Sequence, residues 1–368
     1  MQKIGILTFH RAFNYGAFLQ CYSLKRYLEG NGYSVDVIDY WPNGHASAYN
    51  YFNTEFFKRQ SLIRKIRYLL TFLVSFRRKF VRFEKIKRLQ TRYFNLDRNV
   101  KFVFGEQLKS LKYDYILYGS DQIWWKSRLE NYIGFDTVYW GQYVDSSIKK
   151  VSYAASMGII DLTDADKTCI DDWLSSFHKI SVRENELRNH LREFTNHNID
   201  LVCDPVFLTR KSDWEECLSS IKLPLRYVLL FNLMHSAEAR VVADKVAKDL
   251  NCEVVEISSM VLPWRFGKDL IQTADPFEFL YAIANAEFVI SSSFHGTAFS
   301  VIFEKQFYSI GMQNNSGRVA SLLSILGIPE RMISQAAQVN TEDKIDYCIV
   351  KSPLQNYIKT SEDFLCAI

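Results

Sequence analysis

The sequence predicts an α/β protein whose two Rossmann-like halves face a central cleft, and three observations carry that reading. Short apolar runs alternate with amphipathic stretches along most of the chain. The first 40 residues hold a complete strand–helix–strand unit, so the sheet starts parallel. The alternation breaks at Asp204-Pro205 and restarts at Tyr227. Two domains are the natural division of 368 residues, and 48% hydrophobic content supplies a core for each.

In the first half, residues 3–9 read as a buried strand, 10–16 as a loop and 17–29 as a helix closed by Gly30 or Gly32. Residues 34–40 form the next strand. Between 49 and 95 the composition shifts: Leu62, Ile66, Leu69, Leu70, Leu73, Phe76, Phe80 and Phe83 recur at three- and four-residue steps among basic residues, giving one or two amphipathic helices. Strands follow at 113–118, 150–155, 179–182 and 199–203, with helices at 164–177 and 185–194. Residues 206–223 read as a helical connector. In the second half, strands at 227–231, 252–257, 287–291 and 307–310 alternate with helices at 237–250, 276–285, from about 295, and 318–326, before a polar tail ending in a helix. The domains are therefore expected at 1–205, with a basic helical insert at about 50–95, and 206–368, the last helix packing back on the first domain.

Charge is unevenly placed. Between Lys58 and Arg92 stand thirteen Lys or Arg and one acid, Glu84, a local balance of +12 within a net +4 that leaves the remainder at −8. Such a segment is either a solvated face over a core-facing stripe or a surface that rests on anionic lipid, each basic residue near a membrane being worth ~1 kcal/mol. No base-reading module accompanies it, so nucleic acid is not an expected partner. The longest apolar run, residues 68–76, is far short of the roughly 20 residues needed to span a bilayer. No signal-peptide pattern opens the chain, and the seven cysteines form no C-x-x-C pair. A cytoplasmic enzyme is expected, soluble or peripheral at the inner face of the plasma membrane, with no metal.

Candidate site residues lie where strands end. The stretch from Phe288 to Ser300 runs from a strand through three serines into a helix, leaving backbone N–H groups free beside His295, Gly296 and Thr297. Such a helix start lies at the usual anion site of an open α/β sheet. Arg183 stands at the same kind of junction, where a guanidinium can fork onto phosphate or carboxylate; its plainer alternative is a surface pair with Glu184. The first strand–helix turn lacks G-x-G-x-x-G, which argues against the usual dinucleotide fold; it offers His10, Arg11, Asn14 and Tyr15 instead. After the strand at 113–118, Asp121, Gln122 and Trp124 place a carboxylate, an amide and an indole where sugar hydroxyls could be recognised, unless Trp124 is simply packed.

Laid out in order, these residues resemble the polysaccharide pyruvyl transferase family. The matching stretches are Ile6 to His10 with Asn14-Tyr15-Gly16 and Gln20, then Gly119 to Trp124, Ser152 to Ser156, Ile180 to Glu184, Asp204-Pro205, Ser293 to Thr297, and Arg318 to Arg331. Trp125, Asn185-Glu186-Leu187 and Asp275 depart from the family's pattern, and these departures bear on the acceptor more than on the donor chemistry. The resemblance implies a GT-B-like fold and transfer of pyruvate from phosphoenolpyruvate, a co-substrate and not a bound cofactor, to a glycan or lipid-linked sugar as a cyclic ketal. It implies His295 as the functional histidine and Arg183 as the donor-binding arginine. Asp121 is then the candidate to accept a proton from the attacking hydroxyl. Gly296, Thr297, His10 and Arg11 complete the expected donor site, and Asn14, Tyr15, Gln122 and Trp124 the acceptor site. A nucleotide-sugar glycosyltransferase is the nearest alternative, with Glu278 as the visible ribose contact; a non-catalytic sugar-binding protein on the same scaffold is the other.

Overall fold

A computed structural model describes residues 1–42, 52, 54–96, 100–129, 132–233, 236–311 and 316–368. The beginning of the basic insert, at residues 50, 51 and 53, lies outside the described residues.

Two six-stranded parallel sheets dominate. The first has the order β2-β1-β3-β6-β7-β8, from β1 (Lys3–Leu7), β2 (Ser34–Val37), β3 (Tyr115–Tyr118), β6 (Lys149–Ala155), β7 (Lys179–Val182) and β8 (Ile199–Leu201). The second has the order β11-β10-β9-β12-β13-β14, from β9 (Tyr227–Phe231), β10 (Glu253–Ile257), β11 (Leu270–Ile271), β12 (Phe288–Ser291), β13 (Phe307–Ile310) and β14 (Met332–Ile333). A small antiparallel hairpin, β4 (Ser127–Leu129) with β5 (Tyr132–Gly134), stands apart. Strands such as β3, β9 and β12 are buried along their whole length, because helices cover both faces of a parallel sheet. Each sheet reverses its strand order once, between β1 and β3 and between β9 and β12. Ligands of open α/β sheets collect outside the carboxyl ends of strands at such points.

The helices are α1 (Tyr15–Gly30), α2 (Thr54–Lys58), α3 (Leu62–Phe94), α4 (Asp164–Leu174), α5 (Asn185–Arg192), α6 (Lys211–Glu215), α7 (Ala237–Leu250), α8 (Pro276–Ala284), α9 (Phe294–Ile302), α10 (Ser316–Ile325) and α11 (Tyr347–Cys366). The basic segment is mainly one helix of 33 residues. The expected connector helix at 206–223 reduces to a 3-10 turn at Pro205–Leu208 and the five residues of α6. Asp204, three residues past β8, caps the turn, accepting from the Val206 N–H with Pro205 in the first position.

The halves meet through an aromatic seam. Along α1, Tyr15 stacks on Phe279 at 4.8 Å, Phe18 meets Phe277 at 5.7 Å, and Tyr22 meets Trp214 at 5.7 Å. Such ring pairs add about 0.5–1.5 kcal/mol each beyond the area they bury. The terminal helix α11 touches the first sheet, where the Ser361 hydroxyl accepts from Cys203 N–H at 2.8 Å and the Tyr357 hydroxyl donates to Val202 O at 2.8 Å.

Candidate active site

The second half contributes the junction β12–α9. Ser291 Oγ receives the Ser293 N–H at 3.0 Å and donates back to Ser293 O at 3.1 Å, which folds the serine turn onto itself. Ser293, extended at the N-cap, makes no side-chain cap, so the amides of the first turn of α9 face the seam without one. Gly296 is required here: a methyl group in its place would lie 2.1 Å from Ser291 Oγ. Thr297, expected to bind donor, instead supports the fold. It is fully buried, and its hydroxyl pairs with Ser293 O at 3.1 Å and Ser309 Oγ at 2.7 Å.

His295 leaves this helix start and crosses the seam. Its ring packs on Gly16 at the start of α1, where a methyl group would fall 2.0 Å from the imidazole Nδ1. Its Nε2 lies 3.5 Å from Asp204 Oδ2, an ion-pair separation without an aligned hydrogen bond, and is otherwise unpartnered. His295 is 7% exposed.

Arg183 arrives from the other half. Its N–H bonds to Ala155 O at 3.2 Å, and the Tyr357 hydroxyl reaches its carbonyl at 3.4 Å, so sheet and terminal helix together hold its backbone. The guanidinium lies 4.4 Å over the Phe294 ring. Nε donates to Glu184 Oε1 at 3.1 Å and Nη1 donates to Asp204 Oδ2, the oxygen that His295 approaches. Nη2 is buried without a partner, as is Glu184 Oε2. The expected Arg183–Glu184 pair exists, but it is buried and not on the surface.

The charges set one another. Burial pushes the Asp204 carboxyl up, yet His295 and Arg183 hold it well below the ordinary carboxylate range. Burial acts against the charged Arg183, and Glu184, Asp204 and Asp121 outweigh it, so its affinity for its proton rises. Arg318, from α10, is lowered first by burial and then by repulsion from Arg183, while Glu184, Asp121 and Asp204 oppose that fall. Two guanidiniums and one imidazole therefore share a small volume with three carboxylates.

The third contributor is the turn after β3. Gln20 Nε2 donates to Thr8 Oγ1 at 3.0 Å, Thr8 donates to Ser120 O at 2.8 Å, and Ser120 N–H returns to Gln20 Oε1 at 3.1 Å. This closed ring fixes Ser120, whose hydroxyl lies 3.3 Å from Asp204 Oδ2, and presents Asp121. Asp121 takes φ 78°, a conformation Asp tolerates better than most residues, and accepts from Gln122 N–H at 2.8 Å. The Gln122 side chain packs where a methyl group on Gly158 would stand, 2.2 Å from Nε2.

Several expected site residues go elsewhere. His10 and Arg11 are committed to Asp39: His10 Nε2 at 3.0 Å, Arg11 Nε and Nη2 at 2.5 Å each. Asn14 caps α1, accepting from Gly16 N–H at 2.9 Å. Tyr15 is 1% exposed, and its hydroxyl takes Arg82 Nη1, which places it in the seam. Trp124 is wholly buried, stacked on Trp140 at 4.5 Å with its indole N–H on Tyr139 O, which settles it as the packed alternative. Glu278 caps its own helix and is held by Lys85 Nζ at 2.6 and 2.7 Å. Sequence reading did not single out Asp204, Glu184, Arg318, Gly16 and Ser120 as site residues. All but Arg318, which only bounds a matching stretch, lie inside motifs quoted above, but nothing in their spacing pairs them.

Comparison with known proteins agrees with this architecture. The model of the polysaccharide pyruvyl transferase family matches residues 14–314. No curated protein matches at a significant level. Among solved structures, a putative UDP-N-acetylglucosamine 2-epimerase from Listeria monocytogenes is similar at 8% identity and TM-score 0.51, over 99% of this chain and 95% of that one. The S. aureus MnaA–UDP structure is similar at 9% identity and TM-score 0.51, over 98% and 91%. At such identities the likeness shows the two-domain GT-B-like fold alone.

Proposed function

The chain belongs to the polysaccharide pyruvyl transferase family, and from that premise we propose that it transfers pyruvate from phosphoenolpyruvate to a sugar of a surface polysaccharide, or its lipid-linked precursor, as a cyclic ketal. The observation that carries the reading is the convergence of Arg183 and His295, from opposite halves, on one oxygen of Asp204.

Phosphoenolpyruvate brings a carboxylate and a phosphate, and burying them unpaired is prohibitive. Arg183 Nη2, Arg318 and the amides at the start of α9 are the counter-charges at hand. The site also holds its own carboxylates, so donor binding exchanges Asp204 or Glu184 for a donor oxygen on Arg183. Arg183 and His295 are nearly enclosed, so the donor reaches them when the seam loosens.

In the reaction His295 delivers a proton to the enol methylene carbon, and the sugar hydroxyl attacks the adjacent carbon as its charge develops. Asp121 takes the hydroxyl proton. Phosphate leaves with the electrons of its C–O bond and carries off the proton held by Asp121, and a second hydroxyl closes the ring, its proton returning to the imidazole. Histidine suits such work because its ordinary pKa of ~6.5 lies near working pH. Asp204 orients the ring.

Thermal shift with phosphoenolpyruvate against UDP-sugars separates this reading from a nucleotide-sugar transferase; stabilisation by the UDP-sugar alone would overturn it. Mass spectrometry of lipid-linked glycans incubated with phosphoenolpyruvate is expected to find a product heavier by one pyruvate less one water. Activity is expected to survive EDTA.

A further inference from the structure

The outward face of α3 is apolar. Leu62, Ile66, Leu69, Leu73, Phe76 and Phe80 recur at three- and four-residue steps, and every one is between 41% and 73% exposed. At 3.6 residues per turn they lie across the helix from Ser75 and Arg82, which are buried against the body. An amphipathic helix normally turns its apolar stripe inward; this one carries a second stripe toward solvent, and a contiguous exposed patch of that kind marks an interaction surface.

Charge chooses the occupant. Arg77, Lys87 and Arg88 stand exposed on or beside the same face of the helix, within the segment where Glu84 is the single acid against thirteen basic residues. Against the other side of the helix lies the loop that follows β10, which fixes the helix on the body and leaves the apolar stripe outward. Arg78 fixes that loop to the helix, donating to the carbonyls of Leu262 at 3.3 Å, Pro263 at 2.7 Å and Arg265 at 2.9 Å, and lying 4.4 Å over the Phe266 ring. Apolar residues flanked by cations are the composition of a helix lying in the headgroup region of a bilayer. A second copy on this face would set two sets of like charges against each other. No helix among the described residues is long and apolar enough to cross a membrane.

We propose that this face seats on a bilayer bearing anionic headgroups, with α3 parallel to the surface. The inference deepens the function proposed above, because a lipid-linked sugar acceptor is then presented where the enzyme docks. The docking helix also bears on the site itself. Arg82 donates to the Tyr15 hydroxyl and to the carbonyls of Ser258 at 3.2 Å and Phe13 at 3.3 Å, and Tyr15 adjoins Gly16, on which the His295 ring packs.

Flotation of the full chain with phosphatidylcholine vesicles, with and without phosphatidylglycerol, tests the proposal. At least tenfold more protein is expected to float with the anionic vesicles. Leu69→Glu with Leu73→Glu should lose at least tenfold of that recovery, and Arg77→Glu with Lys87→Glu and Arg88→Glu should abolish the preference for anionic lipid. Both variants should keep the thermal shift given by phosphoenolpyruvate, which also reports that they are folded. Equal recovery on neutral and anionic vesicles, or none on either, overturns the proposal. So does a wild-type dimer that the leucine variant converts to monomer without vesicle recovery in either case, which would assign the face to a second copy. Flotation that persists in a protein indifferent to phosphoenolpyruvate would overturn the proposed donor and leave the docking surface standing.

Discussion

Two clusters of the same three residue types sit at strand ends in this molecule, and they do different things. His10, Arg11 and Asp39 all come from the first half. Asp39 receives His10 and both prongs of Arg11, and the other ring nitrogen of His10 lies 3.0 Å from Thr8 O. His295, Arg183 and Asp204 are assembled across the seam, and that cluster keeps a guanidinium nitrogen, an imidazole nitrogen and a carboxylate oxygen of Glu184 buried without hydrogen bonds. A saturated cluster holds a loop in place. A cluster with buried donors left over carries an energetic cost that a bound ligand can relieve.

Matched substitutions break or sharpen that contrast. The largest effect is expected from His295→Ala, a fall in turnover of roughly 10²–10⁴ with the unfolding midpoint little changed. His10→Ala should do the reverse, lowering stability while the folded fraction keeps its turnover. A His295→Ala enzyme retaining more than a tenth of the wild-type rate would erase the distinction. Next comes Arg183→Lys, in which a point charge replaces the fork; loss of about 2–5 kcal/mol of donor binding is expected as a raised donor KM. Arg11→Lys should leave that KM unchanged.

Gly16→Ala is smaller and more telling in its sign. In an open helix the change stabilises by roughly 0.5–1 kcal/mol. Here the methyl group meets the imidazole at 2.0 Å, so turnover should fall, and an unaffected kcat would place His295 elsewhere during catalysis.

The smallest effect is in the pH dependence of stability. For Asp39, burial pushes the carboxyl up, but hydrogen bonds from Arg11 and His10 outweigh it and hold the group at about 2. A depressed folded-state value means stability fully present above the ordinary value of ~3.9, worth about 2 kcal/mol, and lost as pH falls through about 2. Asp39→Asn should flatten urea midpoints between those limits. Asp136 has the opposite sign: burial raises it to about 6 against hydrogen bonds from the Val138 N–H and the Tyr40 hydroxyl. Its ionisation therefore costs stability as pH rises from about 4 through 6, and Asp136→Asn should remove that slope.

Much of this was legible in the chain. Hydrophobic periodicity is local, so the βα alternation, the break at Asp204-Pro205 and the strand-end positions of Arg183 and His295 all follow from residues within a few positions of one another. The weak points were also local in origin. A stretch such as 206–223 has helical spacing, yet only short turns form because Phe207, Leu208 and Trp214 are drawn individually into the core shared by the two halves. Polar and aromatic side chains at strand ends look alike in sequence whether they face a ligand or a neighbour. The indole of Trp124 and the phenol of Tyr15 were decided by rings that come from distant segments, Trp140 and Phe279.

What the sequence determined by itself was the set of elements and which chemical groups stand at their ends. What only the tertiary structure decided was which of those groups meet: Asp204 with Arg183 and His295, and Gly16 beneath the imidazole. The reason is physical. Secondary structure follows from contacts three or four residues apart, whereas a hydrogen bond between residues 183 and 204 depends on the pairing of β7 with β8, and an ion pair between 204 and 295 on how two sheets pack, and no local pattern encodes those distances.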